Sequence, residues 1–293
     1  MLLSRFGPII ATVLAGVLVT AGHRQLPPRL AARMAVAILV AITLAAVPSL
    51  WLLSLGFLAH VPLVGSRLQW CAMVLGLHHE VPAIAGVPAL LVSGVGIARG
   101  VRVLRLHRRV VCHEPAAIEV VDGTDAYAVT IPGRGGRIIM STALFELLDP
   151  AERAVVLAHE QAHARFRHDR YLLIARLTGA LVPGTRRMSD RLHFIIERWA
   201  DEASAARSGD RRFVATTLAK VALCVNHQPR AYALGFAGLG VTARVAALLE
   251  PRRPRPPRVV IGVLWIAILA TAGLAALQVH HLAALITALC PGG

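Results

Sequence analysis

Four long uncharged apolar blocks, separated by arginine-rich stretches, dominate the chain. They run from Phe6 to Gly22, Met34 to Ala59, Val81 to Ala98 and Val259 to Val279. Each is close to or beyond the roughly 17–25 apolar residues that a helix needs to cross a bilayer. Pro48 falls inside the second block and predicts a kink there. The first block could instead be a signal peptide, with Arg5 as its basic start. Arg24, Arg29 and Arg33 follow it at once, and such a basic flank resists export, so a retained span is expected.

Between the third and fourth blocks the pattern changes. Ala117 to Val121 reads as a strand. Tyr127–Ile131 and Arg137–Ser141 are two further β-rich runs around Pro132-Gly133-Arg134-Gly135-Gly136, which predicts a hairpin. Asp149-Pro150 has the residue types of an N-cap and first helical position, so a helix is expected from Ala151 to about Arg167. A second helix is expected from about Asp190 to Arg207. Tyr171–Val182 is apolar but short and carries Arg176, which suits a core helix or one lying against the membrane.

Composition agrees with a bilayer environment. Of 293 residues, 56% are hydrophobic and only 16% charged, where soluble domains carry about 25% charged residues. Mean hydropathy is +0.63. The net charge of +15 is mostly arginine flanking apolar blocks. It reads as topology and headgroup contact rather than direct nucleic-acid binding. Arg24, Arg29 and Arg33, then Arg99 to Arg109, then Arg252, Arg253, Arg255 and Arg258 fall on one side of alternating spans; the loop from His60 to Glu80 holds only Arg67. That side is expected to be the cytoplasm of a multi-pass plasma-membrane protein. The domains follow: 1–103 with three spans, 104–257 as a cytoplasmic domain, and 258–293 with the fourth span and a short tail.

Cys71, Cys112, Cys224 and Cys290 form no C-x-x-C pair and read as small buried hydrophobes. His78, His79 and Glu80 look metal-like but lie in the outer loop. Adjacent histidines point apart on a helix, so these read as solvated or interfacial residues.

The chemistry concentrates in Val155-Val156-Leu157-Ala158-His159-Glu160-Gln161-Ala162-His163. Residues i and i+4 share a helix face, so His159 and His163 can present two imidazole nitrogens to one metal ion. Glu160 falls beside them, where it can take a proton from a bound water. A catalytic zinc needs a third protein ligand and one open position. A metzincin-like extension requires Gly at 166 and His at 169, whereas this chain has Phe166 and Asp169. Asp169 remains an alternative ligand, and His168, at i+5, is poorly placed on a continuing helix. Glu197, in Glu197-Arg198-Trp199-Ala200-Asp201, can reach the site from a separate helix and is preferred. Asp201 is one turn further on, placed to orient a ligand histidine. His193, one turn before Glu197, is either an oxyanion stabiliser or, preferably, a structural histidine. Either edge of the hairpin could hold an extended substrate by strand addition, or the hairpin could be plain core.

The stretches VVLAHEQAHARFRHD and ERWADEAS, with the lead-in RIIMSTALFELLDPAE, resemble gluzincin-type membrane peptidases. Two branches share these signatures: the HtpX- and CAAX-type proteases of quality control and maturation, and the BlaR/MecR-type antirepressor peptidases. HtpX-like chains place spans between H-E-x-x-H and the ligand Glu, and residues 164–196 cannot hold two. Three spans before the motif and one after are similar to BlaR/MecR. Those sensors continue into an extracellular penicillin-binding domain, and this chain ends at Gly293, so direct β-lactam sensing is not expected. The resemblance implies a mainly α, polytopic membrane protein of about four transmembrane helices with a cytoplasmic α+β gluzincin-like domain. It implies one Zn2+ per chain, and a protein substrate such as a winged-helix BlaI-type repressor in a signalling pathway. An HtpX-like quality-control protease and a non-enzymatic signalling scaffold with a structural metal site are the alternatives.

Overall fold

The computed structural model describes residues 26–59, 61, 81–111, 117–133, 135–226 and 239–250, with scattered helical positions between 259 and 280. The expected span at 6–22, the outer-loop His78, His79 and Glu80, the basic cluster at Arg252 to Arg258, and Cys71, Cys112 and Cys290 lie outside the described residues. Only scattered positions of the block at 259–279 are described.

Among the described residues, two helices are long and apolar enough to cross a membrane: α1, Pro28–Leu58, and α2, Ala83–Val110. Both extend beyond the apolar blocks that announced them. Helix α1 opens on Pro28, whose fixed φ suits a first helical position, so Arg29 and Arg33 lie on the helix itself. Pro48 is inside it. Helix α2 continues through Arg99 to Arg109, since arginine is a good helix former, and ends at Val110. At about 1.5 Å per residue each helix exceeds about 40 Å. The two pack closely where Gly86 meets Phe57: a β-carbon at Gly86 would lie 2.2 Å from that of Phe57.

Strands β1 (Ala117–Val121), β2 (Ala128–Ile131) and β3 (Arg137–Ser141) form one sheet in the order β1-β3-β2. The expected hairpin is present as the antiparallel β2–β3 pair. Strand β1 pairs with β3 in parallel. With β3 paired on both sides, Arg137–Ser141 has no edge to offer an incoming strand; β2 has one. The hairpin turn is pressed onto the next long helix. Gly136, at φ +76°, is so close to Ala164 that a β-carbon would lie 2.6 Å from that of Ala164. Only glycine meets both the left-handed backbone and the space.

Five helices complete the described fold after the short α3 (Thr142–Leu147): α4 (Pro150–Phe166), α5 (His168–Leu181), α6 (Arg186–Ser208), α7 (Arg211–Asn226) and α8 (Leu239–Leu249). Helix α4 starts where the sequence predicts. Asp149 Oδ1 accepts from the backbone N–H groups of Ala151 and Glu152, both at 2.8 Å, and Glu152 Oε2 accepts from Asp149 N–H at 2.9 Å. This reciprocal capping box satisfies donors that the first helical turn leaves without partners.

The apolar Tyr171–Val182 segment falls largely within α5, which is a core helix. Ala175 and Val182 join Ile38, Leu39 and Ile42 of α1 and Leu192, Ile195, Ile196 and Trp199 of α6 in one buried cluster. Thr43 and Thr178 place their hydroxyls 2.9 Å apart across α1 and α5. One face of α1 therefore packs against α5 and α6, and shares a core with the helix that carries Glu197.

Candidate metal centre

The site lies where α6 crosses α4. Ser204 Oγ donates to the Val155 carbonyl at 2.9 Å, and Arg207 donates to Gln161 Oε1 at 2.6 Å, so the crossing is pinned one turn before the motif and within it. A second buried cluster, Val155, Ala205, Val214, Ala215 and Leu248, packs α7 and α8 onto it.

At the crossing, His159, His163 and Glu197 converge. Their ligand atoms all lie within 4.8 Å of one another, and they are the group among the described residues that could hold a metal ion. His159 Nε2 and His163 Nε2 are 3.1 Å apart. Glu197 Oε2 lies 3.4 Å from His159 Nε2, and Glu197 Oε1 lies 3.5 Å from His163 Nε2. Donors bound tetrahedrally to one zinc ion at about 2.0–2.2 Å sit about 3.3–3.6 Å apart, so the spacing is close to what that ion needs. Two imidazoles and a carboxylate also leave the fourth position open, as a catalytic site requires. Asp169 lines the same cleft but is not one of the converging group.

Asp201 stands behind His159. Its Oδ1 lies 3.1 Å from His159 Nδ1, which directs Nε2 toward the centre. A residue with no signal in the sequence completes this arrangement. Arg244, on α8, donates from Nε to Asp201 Oδ2 at 2.8 Å and from Nη2 to Asp201 Oδ1 at 2.7 Å. Its Nη1 is 3.2 Å from Glu197 Oε2. Arg211 holds α8 in place by donating to the carbonyls of Leu248 and Ala247 at 2.9 and 3.0 Å while also pairing with Glu202. In a chain with 31 Lys and Arg residues, nothing local distinguishes Arg244 from its neighbours.

Two more partners were not foreseen. Thr130 Oγ1, on edge strand β2, lies 2.7 Å from Glu160 Oε2 and 2.8 Å from the Glu160 carbonyl oxygen, so it can donate to either. His168 returns to the site because α4 does not continue through it. Arg167 adopts a left-handed conformation, φ 52°, and α5 starts at once. This brings His168 Nδ1 to 3.1 Å from His163 Nδ1. His168 is not one of the converging ligands, but the chain reversal sets it behind His163, a place that a continuing helix would not give it.

Charge is tightly organised. Burial alone would lower the pKa of His159, but the hydrogen bonds it donates to Asp201 and Glu197, with the charge of those carboxylates, outweigh it and raise it to about 10. Burial opposes ionisation of Glu197 and Asp201 too, yet both are held well below the usual carboxylate range: Glu197 by His159, His163 and Arg244, and Asp201 by Arg244 and His159. Burial lowers the pKa values of His163 and His193, and takes His168 down to about 3. Two ionised carboxylates thus face one permanent cation, Arg244, and the centre favours one further positive charge, a proton on His159 or a metal ion.

A cleft of about 1020 Å3 opens onto the centre. Thr130 and Gly136 of the sheet region, His193 of α6, and Val103, Leu106 and Val110 of α2 contribute to its walls. Residues 101–189 match the model of peptidase family M48, whose members are zinc-dependent metallopeptidases. The match includes His159, Glu160 and His163 and supports a metallopeptidase. No curated protein and no solved structure matches the chain.

Proposed function

We propose that the chain is an integral membrane zinc metalloendopeptidase that cleaves a cytoplasmic or membrane-proximal protein. The observation that carries this reading is the convergence of His159, His163 and Glu197 with Glu160 alongside, at the floor of an open cleft. His159, His163 and Glu197 would hold the ion, which supplies Lewis acidity and lowers the pKa of a water. Glu160 would take a proton from the attacking water and return it to the leaving amine. Thr130 holds the Glu160 carboxylate by hydrogen bonding. Strand β2 borders α4 and offers its free edge to an extended substrate by strand addition. His193 lines the cleft one turn from Glu197 and is the candidate oxyanion stabiliser.

A BlaI-type repressor in a signalling pathway is the proposed substrate class, with the peptidase domain facing the cytoplasm. Helices α4, α5 and α6 follow one another with no room for spans between His163 and Glu197, which supports the BlaR/MecR-like organisation. One observation favours a second reading, an HtpX-like protease acting on membrane proteins. The cleft wall formed by Val103, Leu106 and Val110 continues directly from the apolar part of α2.

Comparative proteomics of cells carrying wild type or Glu160→Gln tests the proposal. A soluble repressor that accumulates uncut in the variant supports the first reading, and accumulating membrane proteins support the second. An unchanged proteome and phenotype would leave a scaffold with a structural metal site, and the peptidase reading would fail.

A further inference from the structure

His168 is fully buried and contributes to none of the chemistry above, yet it touches a proposed metal ligand. Its Nδ1 is 3.1 Å from His163 Nδ1. Its Nε2 is buried and finds no hydrogen-bond partner among the described residues. The ring is packed among aromatic side chains, with centroids 4.7 Å from Trp199, 5.9 Å from Phe166 and 6.3 Å from Tyr171. Phe166 and Trp199 stack on each other at 4.8 Å. A polar ring in such surroundings costs stability unless it makes a compensating bond, and the one available is to His163.

The direction of that bond follows from the chemistry of imidazole. A neutral imidazole carries one N–H and one lone pair. His163 presents Nε2 to the centre, 3.1 Å from His159 Nε2. Nε2 must carry the lone pair to bind a cation, so Nδ1 must carry the proton. His168 Nδ1 is then the acceptor, and His168 Nε2 carries its proton into the aromatic box. We infer that His168 is a positioning residue for the metal centre: it accepts the Nδ1 proton of His163, fixing both the tautomer and the ring orientation that deliver Nε2 to the ion. The two ligand histidines are thus oriented by different partners, His159 by the anionic Asp201 and His163 by a neutral imidazole in an apolar box. The inference rests on the proposed ligand role of His163.

The test uses the purified full chain in detergent, with Zn2+ affinity measured by competition with a chromophoric chelator and melting temperature measured on the metal-free protein. His168→Phe keeps an aromatic ring in the box but removes the acceptor. His168→Asn places a carbonyl oxygen where Nδ1 now sits. Loss of such an outer partner typically weakens metal binding about 10–100-fold. The expected result is that loss in His168→Phe, with metal-free melting unchanged or raised, and recovery to within about threefold of wild type in His168→Asn. If the Phe variant does not fold, His168→Leu, close in shape to Asn but without an acceptor, takes its place. Wild-type affinity in the Phe or Leu variant overturns the inference, as does equal loss in the Asn variant, which would assign the ring a packing role only. If wild type itself binds no Zn2+, the metal-centre reading fails and this inference fails with it.

Discussion

Replacing Arg244 with Leu removes the permanent cation that the described structure places against both buried carboxylates of the centre, leaving only the titratable His159 beside them. Arg244 is 5% exposed, Asp201 2% and Glu197 7%. The guanidinium holds both oxygens of Asp201 at 2.7–2.8 Å and reaches Glu197 at 3.2 Å. Two opposite charges about 4 Å apart interact by about 4 kcal/mol at an effective dielectric of about 20. Removing one partner of a buried pair costs about 3–5 kcal/mol, because the other charge stays buried without compensation. At about 2–4 °C per kcal/mol for a chain of about 150–250 residues, metal-free Arg244→Leu should melt about 6–20 °C below wild type. Zn2+ should recover part of the loss, since the ion would neutralise Glu197 directly while leaving Asp201 with only His159. The double variant Asp201→Leu/Arg244→Leu removes both members of the bidentate pair, and should be less destabilised than the sum of the single variants by about 2 kcal/mol or more. Melting of the four proteins, with and without Zn2+, completes the cycle. Additive losses, or an Arg244→Leu variant that melts like wild type, would refute the claim that Arg244 compensates these carboxylates.

The raised pKa of His159, about 10 without metal, makes Zn2+ uptake release a proton at neutral pH. Affinity should therefore rise about tenfold per pH unit from about pH 7 toward 9; chelator competition at pH 7, 8 and 9 reads this, and a flat profile contradicts it. The same shift is a stability statement for the metal-free chain. Its His159 contribution is fully present below the unfolded value of 6.5 and is lost as pH rises through about 10, so melting of the metal-free protein should fall across pH 8 to 10 and fall less in His159→Gln. Gly136→Ala would force a β-carbon to 2.6 Å from that of Ala164 at φ +76°. It should cost about 1–3 kcal/mol by overpacking and lower peptidase activity, because the displaced hairpin carries Thr130 away from Glu160; unchanged melting and activity would count against this coupling.

Much of the centre was legible because it is local. The i, i+4 spacing of His159 and His163, the capping residues Asp149 and Glu152, and the one-turn offset between Glu197 and Asp201 each depend on a single helix. The β2–β3 hairpin was legible from its glycine-rich turn. What the sequence hid depends on chain reversals and distant packing. His168 reaches His163 only because Arg167 takes a left-handed backbone, a conformation uncommon for a residue other than glycine. Arg244 arrives from a helix whose own pattern marks nothing special. The apolar run of α1 reads as a candidate span with no face marked, and the burial of Ile38, Leu39 and Ile42 against α5 and α6 was hidden because periodicity cannot tell a lipid neighbour from an apolar helix. The middle position of β3, which leaves β2 as the strand beside α4, follows from the parallel β1–β3 pairing and has no local signature.

The zinc content of purified wild type, Glu197→Ala and Asp169→Ala bears most directly on the centre. The spacing of His159, His163 and Glu197 predicts about one Zn2+ per chain in wild type and in Asp169→Ala, with loss in Glu197→Ala. Retention of zinc in Glu197→Ala, or its loss only in Asp169→Ala, would contradict the assignment of the third ligand and the account built on it.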